Sequence, residues 1–315
     1  MSYKVLASTE NMPYAEWLEW RRNGLGGSDA SVVCGINRWK SPVELWMEKT
    51  GQLNKDDDAG EYAYWGNQLE ALVRAEFTKR TGIEVNIVSQ LLQSEEYPFM
   101  LANLDGECIH PIYGKCLFEA KTCSAFRSAE WDNNVPEEYI CQIQHYLAVT
   151  GYAGCYLAVL IGGNTFKWMF IERDPELISI IIEMEKVFWD HVQTLTPPPL
   201  DGSQASAAFL SQRFPDSVPN SKIELPLDAA ILLQQYDDAC EQLKQVEEQK
   251  TQAENLLKEM LGGNEAGIIG NRLVTWKSIT QERLDTRTLK VEHPVLFKKF
   301  ANQTSYRRFA VKTAS

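Results

Sequence analysis

The chain has 315 residues, 44% hydrophobic and 23% charged, with a formal net charge of -12. That length allows a full hydrophobic core with room for a second structural unit, and the composition excludes a fibrous or disordered chain. No run of about eighteen apolar residues occurs, and the opening Met1-Ser2-Tyr3-Lys4 leads into no apolar signal segment, so no membrane association and a cytoplasmic location are expected. The 7 cysteines contain no C-x-x-C pair and the 4 histidines follow no zinc spacing, which points to reduced thiols. Charge is uneven: residues 264 to 315 carry ten Lys/Arg against four Asp/Glu, +6, leaving -18 on the rest. A basic segment of this kind is either a nucleic-acid-facing element or a solvated face.

In chain order, Pro13 to Arg22 reads as a short helix with Trp17, Leu18 and Arg21 on one side. At Gly26-Gly27-Ser28, Ser28 suits an N-cap, and a Gly-Gly turn before a helix leaves backbone N–H groups free for an anion. With Arg21 upstream, this point is either a site for a terminal phosphate or an ordinary capped helix start. Ser41 to Lys49 is a second helix, Lys55 to Gly60 a loop, and Glu61 to Arg80 a third helix with Leu69, Leu72, Val73, Glu76 and Phe77 on one flank. Glu70 edges that flank. It either reaches a metal or sits in solvent, and position alone favours solvent.

Ile83 to Leu92 and Phe99 to Asn103 read as strands leading into Leu104 to Thr122, two further strands joined by a turn. Asp105 starts the first of these, and the second ends in Glu119-Ala120-Lys121. Strand alternation puts Glu119 and Lys121 on one face and Phe118 and Ala120 on the other. A carboxylate beside an ammonium is costly in a plain core. Two carboxylates and a lysine are, however, what metal-dependent phosphodiester hydrolysis uses: oxygen ligands for a hard divalent cation, and a cation that neutralises charge or helps generate hydroxide. On a surface hairpin the same residues would be an ordinary Glu/Lys pair.

Ala125 to Trp131 is a short helix or loop. Pro136 opens an amphipathic helix to Gly151, with Tyr139, Ile143, Tyr146 and Leu147 inward and Gln142 sharing the face of Tyr146. Ala153 to Ile161 and Lys167 to Glu172 form a hairpin, and Pro175 to Thr194 a long apolar helix. Residues 201–226, rich in Ser and Pro, read as a linker. Leu232, Tyr236, Ala239, Leu243, Val246, Lys250, Ala253, Leu257 and Met260 then alternate steps of four and three, the signature of a coiled coil or helical hairpin arm in which Lys250 weakens the seam. A hairpin over Gly267 to Ile279, two short helices and a final strand, Tyr306 to Lys312, close the chain. The expected division is 1–200, a nuclease domain; 201–226, linker; 227–263, helical arm; 264–315, a basic α+β region.

The ordered set Trp17-x3-Arg21-x6-Ser28, Trp65-Gly66-Asn67-x2-Glu70, Leu104-Asp105-Gly106, Glu119-Ala120-Lys121 and Gln142-x3-Tyr146 resembles the phage-type exonucleases of the YqaJ and lambda-exonuclease group, within the PD-(D/E)XK nuclease superfamily. Leu104 stands where the superfamily's name has proline. The resemblance covers roughly residues 13 to 195. It implies an α/β fold, a restriction-endonuclease-like core with a mixed central sheet flanked by helices, here followed by a C-terminal helical arm and a small α+β cap. It implies that Asp105, Glu119 and the Ala120 carbonyl hold Mg2+, with Mn2+ as a substitute, that Glu70 supports this or a second ion, and that Lys121 positions or activates water. Arg21, Ser28 and Trp17 would form a 5'-phosphate pocket, and Gln142 and Tyr146 would brace the site.

The activity so implied is 5'-3' digestion of double-stranded DNA from its ends, exposing 3' single strands for phage-type recombination. The implied setting is a phage or prophage gene in a bacterial host, with a single-strand annealing protein as partner and, in some members, a trimeric ring. The competing readings are a PD-(D/E)XK endonuclease, a Cas4-like nuclease, which the scattered cysteines do not support, and a non-catalytic coiled-coil protein binding DNA or a partner.

Overall fold

A computed structural model describes residues 2–53, 60–132, 134–282, 284–302 and 306–312. The expected loop over residues 55–59 lies outside the described residues. The chain divides into two compact units, Met1–Phe214 and Pro215–Ser315.

The first unit runs β1 (Tyr3–Ser8), α1 (Tyr14–Arg22), α2 (Gly27–Val33), α3 (Pro42–Lys49), α4 (Gly60–Thr81), β2 (Val85–Asn86), β3 (Gln90–Ser94), β4 (Leu101–Asn103), β5 (Gly106–His110), β6 (Gly114–Cys123), a 3-10 helix (Ala125–Trp131), α5 (Glu137–Thr150), β7 (Gly154–Ile161), β8 (Thr165–Glu172), α6 (Pro175–Gln193) and α7 (Gln204–Arg213). Its main sheet is mixed, in the order β2-β5-β6-β7-β8. β5 and β6 are antiparallel; α5 then carries the chain over one face so that β7 runs parallel to β6, with Glu119 opposite Leu157. Gly151, at φ +75, makes the left-handed stop that ends α5 before β7.

Helices cover both faces, which is why β6 is apolar on both sides where a one-sided sheet would alternate. Phe118, Tyr156 and Ala158 meet Val73 and Phe77 of α4. Leu117, Leu157 and Val159 belong to the core that holds Ile143 and Leu147 of α5. A second sheet, β1-β3-β4, extends that core, and Leu25, Val32, Leu45, Trp46 and Phe188 knit α2, α3 and α6 together.

Three local expectations change. The single strand expected over Ile83 to Leu92 is two: β2 pairs with β5, and β3 pairs with β1 and β4 in the other sheet. On α4, Val73 and Phe77 are buried but Leu72 is 56% exposed, so the inward stripe passes through Leu69, Glu70, Val73 and Phe77. Within 201–226, α7 forms and buries Ser206 and Phe209.

The second unit contains α8 (Ala229–Leu261), the hairpin β9 (Ala266–Ile269) and β10 (Arg272–Thr275), α9 (Thr286–Glu292) and α10 (Pro294–Phe300). α8 is one uninterrupted helix leading through Gly262 into β9, so no helical hairpin forms. Its heptad residues are largely open to solvent, from Tyr236 at 41% to Met260 at 81%, although the Tyr236 ring meets Phe309 edge-on. Residues 306–312, expected as a strand, adopt no regular structure. All seven cysteines are free thiols.

Candidate active site

Asp105, Glu119 and Lys121, the charged trio of the β5–β6 hairpin, line one cavity. Asp105 lies just before β5, where its Oδ2 accepts the Ala120 N–H across the end of β6 at 2.9 Å. Glu119, only 3% exposed, faces α5, as strand alternation requires. Its Oε1 accepts from Lys121 Nζ at 2.5 Å and from Gln142 Nε2 at 2.7 Å. Gln142 Nε2 also reaches the Tyr146 hydroxyl at 3.3 Å, so two residues one turn apart on α5 back the same carboxylate.

Glu70 arrives from the opposite side of the sheet. It lines a cavity of about 220 Å³ together with Asp105, Ala120 and Lys121, and so sits on the cleft, where position alone favoured solvent. Arg74, one turn along α4, donates to Glu70 Oε1 at 3.0 Å and to the Asp105 carbonyl at 3.3 Å. The Glu70/Arg74 spacing is the one sequence signal for that clamp, and it looks like any surface i,i+4 pair.

Burial, reinforced by the Asp105 charge and opposed by Lys121, pushes the Glu119 carboxyl up to about 8. Burial also raises Asp105 against the pull of Lys121 and the Ala120 N–H, and raises Glu70 with help from Asp105. Burial alone would lower Lys121, but Glu119 and Asp105 raise it above an ordinary lysine. Three carboxylates therefore share too little positive charge, the electrostatic setting a cation relieves. Among the described residues no three Asp, Glu, His or Cys side chains converge closely enough to form a metal cage on their own. The oxygen donors of Asp105, Glu119 and Glu70 nevertheless suit a hard divalent ion that keeps some of its water.

A second cavity, about 140 Å³, shares the Asp105 and Lys121 wall and continues past Glu119 and Tyr146 to Trp17, Arg21, Gly26, Gly27 and Ser28. Arg21 Nη2 donates to Ser28 Oγ at 2.9 Å and Asp29 Oδ1 at 3.0 Å, and its guanidinium lies over the Trp17 ring at 4.9 Å. Ser28 is not the N-cap. α2 starts from Gly26, whose N–H is taken by Asp29 Oδ2 at 3.0 Å, so that donor is occupied within the protein. Asn103 Oδ1, in the same cavity, is buried without a hydrogen-bond partner. Asp29, Lys49, Arg74 and Asn103 were not singled out from sequence. Only Asp29 left a trace there, an acid three residues after Gly26 in a helix-start pattern.

A YqaJ-like viral recombinase domain matches residues 16–153. The Bacillus subtilis (strain 168) protein YqaJ is 42% identical over 316 residues, spanning 99% of this chain and 98% of its own. This chain belongs to the YqaJ family. Among solved structures, the alkaline exonuclease LHK-Exo from Laribacter hongkongensis is similar at 20% identity and TM-score 0.47, covering 63% of this chain and 97% of that one. A phage related exonuclease from Haemophilus somnus 129PT is similar at 14% and 0.43, covering 55% and 94%. The mixed sheet with helices on both faces is the architecture expected of the PD-(D/E)XK core. In this member of the family, then, carboxylates from two elements and a lysine meet in one cleft of the matched domain. Among the described residues no helix is long and apolar enough to cross a membrane.

Proposed function

We propose that this chain is a nuclease, a divalent-metal-dependent exonuclease that digests linear double-stranded DNA from 5' ends, exposing 3' single strands for recombination. The observation that carries the reading is the shared wall: Asp105 and Lys121 border both the carboxylate cleft and the cavity that holds Arg21 and Ser28. An end bound through its phosphate at Arg21, Ser28 and Trp17 brings the next phosphodiester toward Glu119 and Lys121. A closed circle has no such group to offer.

In this reading Asp105, Glu119, the Ala120 carbonyl and Glu70 hold Mg2+, or Mn2+ in its place. The ion supplies Lewis-acid stabilisation of the phosphoryl oxygens and an acidified water. Lys121, pinned by Glu119, would orient the attacking water and offset the charge that builds on the phosphoryl group as its P–O ester bond breaks. Gln142 and Tyr146 keep Glu119 from rotating away. A single-strand annealing protein would take up the exposed strand, and a trimeric ring would keep the enzyme on its substrate; mass photometry with and without DNA tests the ring.

The deciding experiment digests linear duplexes with 5'-phosphoryl or 5'-hydroxyl ends alongside a closed circle, each with Mg2+ or chelator. Expected is Mg2+-dependent loss of the linear duplexes, fastest from phosphoryl ends. Equal cutting of the circle would turn the reading to an endonuclease, and undiminished activity of Glu119→Ala or Lys121→Ala would remove these residues from the chemistry.

A further inference from the structure

We infer that Asp29, itself anchored by Lys49, is the positioning residue that sets discrimination of a phosphorylated DNA end, by holding the Arg21 guanidinium in its receiving orientation. The inference rests on the terminal-phosphate reading of Arg21 and adds two residues that the reading does not use.

Lys49 Nζ donates to Asp29 Oδ2 at 2.8 Å, to the Arg21 carbonyl at 2.8 Å and to the Gly24 carbonyl at 2.7 Å. An ammonium has three N–H donors, so none remains for a ligand, and Lys49 acts inside the protein. Asp29 is equally committed: Oδ2 serves Lys49 and the Gly26 N–H, and Oδ1 serves Arg21. Both side chains are 5% exposed, whereas Arg21 is 24% exposed and Ser28 open to solvent. A purely structural ion cluster would close on itself. This one runs outward from Lys49 through Asp29 to a guanidinium at the cavity, where Nη2 is tied and Nε and Nη1 make no hydrogen bond among the described residues.

The surroundings fit the same purpose. The Trp17 ring backs the guanidinium, with Tyr14 stacked behind it at 5.6 Å. A Cβ on Gly26 would lie 3.2 Å from Arg21 Nη2, so the bare backbone makes room for the planar group. Two cations against one carboxylate leave the cluster net positive. A free arginine must give up rotamer freedom on gripping a phosphate; one already fixed by a buried carboxylate does not, and its fork is presented in one orientation.

The test compares kcat and KM on linear duplexes with 5'-phosphoryl and 5'-hydroxyl ends for the parent, Asp29→Asn, and Asp29→Asn/Lys49→Met. The double variant removes the buried pair together, so that no ammonium is left unpaired if the single variant folds poorly. Expected is a fall of at least tenfold in the phosphoryl-to-hydroxyl ratio of kcat/KM, carried by a rise in KM for the phosphoryl end. An equal loss on both ends, or an unchanged ratio in a folded variant, would overturn the role of Asp29 while leaving the Arg21 pocket in place. A parent without end preference would sink the terminal-phosphate reading, and this inference with it.

Discussion

Gly27→Ala tests whether the cavity at Arg21 and the carboxylate cleft are held in register by one close approach between α2 and α5. A Cβ at Gly27 would lie 2.5 Å from Tyr146 Cε1, 2.7 Å from Cζ and 3.0 Å from Gln142 Cγ. Ordinary contact begins at 3.4 Å, so the ring or the helix must yield by close to an ångström. The ring has little freedom: Tyr146 is buried, its hydroxyl meets Gln142, and Gln142 holds Glu119. Overpacking of this kind costs about 1–3 kcal/mol, and in a unit of this size each kcal/mol lowers Tm by roughly 2–4 °C. Because a displacement of about an ångström costs on the order of a hundredfold in rate, kcat should fall well beyond what the stability loss explains. Gly66→Ala on α4 is the control, since no heavy atom lies within 4 Å of its added Cβ; it should gain about 0.5–1 kcal/mol from helix propensity. Thermal melts and single-turnover digestion on both variants decide the matter. A Gly27→Ala protein with the parent's Tm and rate would refute the argument.

Arg74→Ala should leave Glu70 without its partner and loosen the Asp105 backbone, lowering activity roughly 10–100-fold, as loss of a supporting residue around a metal ligand does; Arg74→Lys should recover only part, because one ammonium cannot reproduce the guanidinium fork. The metal-free protein should lose stability as pH rises from the unfolded carboxylate value toward 8. Glu119 is raised in the folded state, so the folded chain holds a proton there that the unfolded chain has released. Mg2+ should therefore raise Tm more at pH 8.5 than at pH 5.5, and an equal shift at both would argue against a cation at Glu119. The fully buried His145 and Glu185 give a second linkage: His145 Nε2 faces the Leu101 carbonyl and Nδ1 faces Glu185 Oε1 at 2.7 Å, so one shared proton must lie between ring and carboxyl. Both groups are raised, His145 by Glu185 against the effect of burial and Glu185 by burial itself. The His145 contribution is complete below the unfolded histidine value and fades as pH rises through the folded one. His145→Ala should cost about 3–5 kcal/mol in a denaturant titration, by stranding a buried carboxyl, and should flatten that part of the pH profile.

What was legible in the sequence was whatever a local period or a single strand could carry. The β5–β6 hairpin, α5 with Gln142 and Tyr146 on one face, and the placement of Glu119 beside Lys121 all follow from residue spacing, and the structure brings these four side chains and Asp105 around one cleft. The failures have one cause: the deciding contact lies in another element. Ile83 to Leu92 reads as one strand because nothing local says that its ends join different sheets. Glu70 reads as a solvent residue because, one position from Leu69 and three from Val73, it only edges the apolar flank; the inward stripe is fixed by Val73 and Phe77 meeting Phe118, and it carries Glu70 to the cleft with it.

Lys49 shows the limit most clearly. As the last residue of α3 it has a sufficient local reason to be there, a cation at a helix C-terminus, and no spacing rule links it to Asp29 twenty residues earlier. Its meaning appears when its three donors are counted and every one is found spent inside the protein. The same accounting separates the site's charges by role. Lys49 has no donor left and can only hold a neighbour in place, while the Arg21 guanidinium, at the cavity, keeps Nε and Nη1 without a hydrogen bond among the described residues. The groups still unsatisfied after folding are therefore the ones through which this cleft can recognise a substrate.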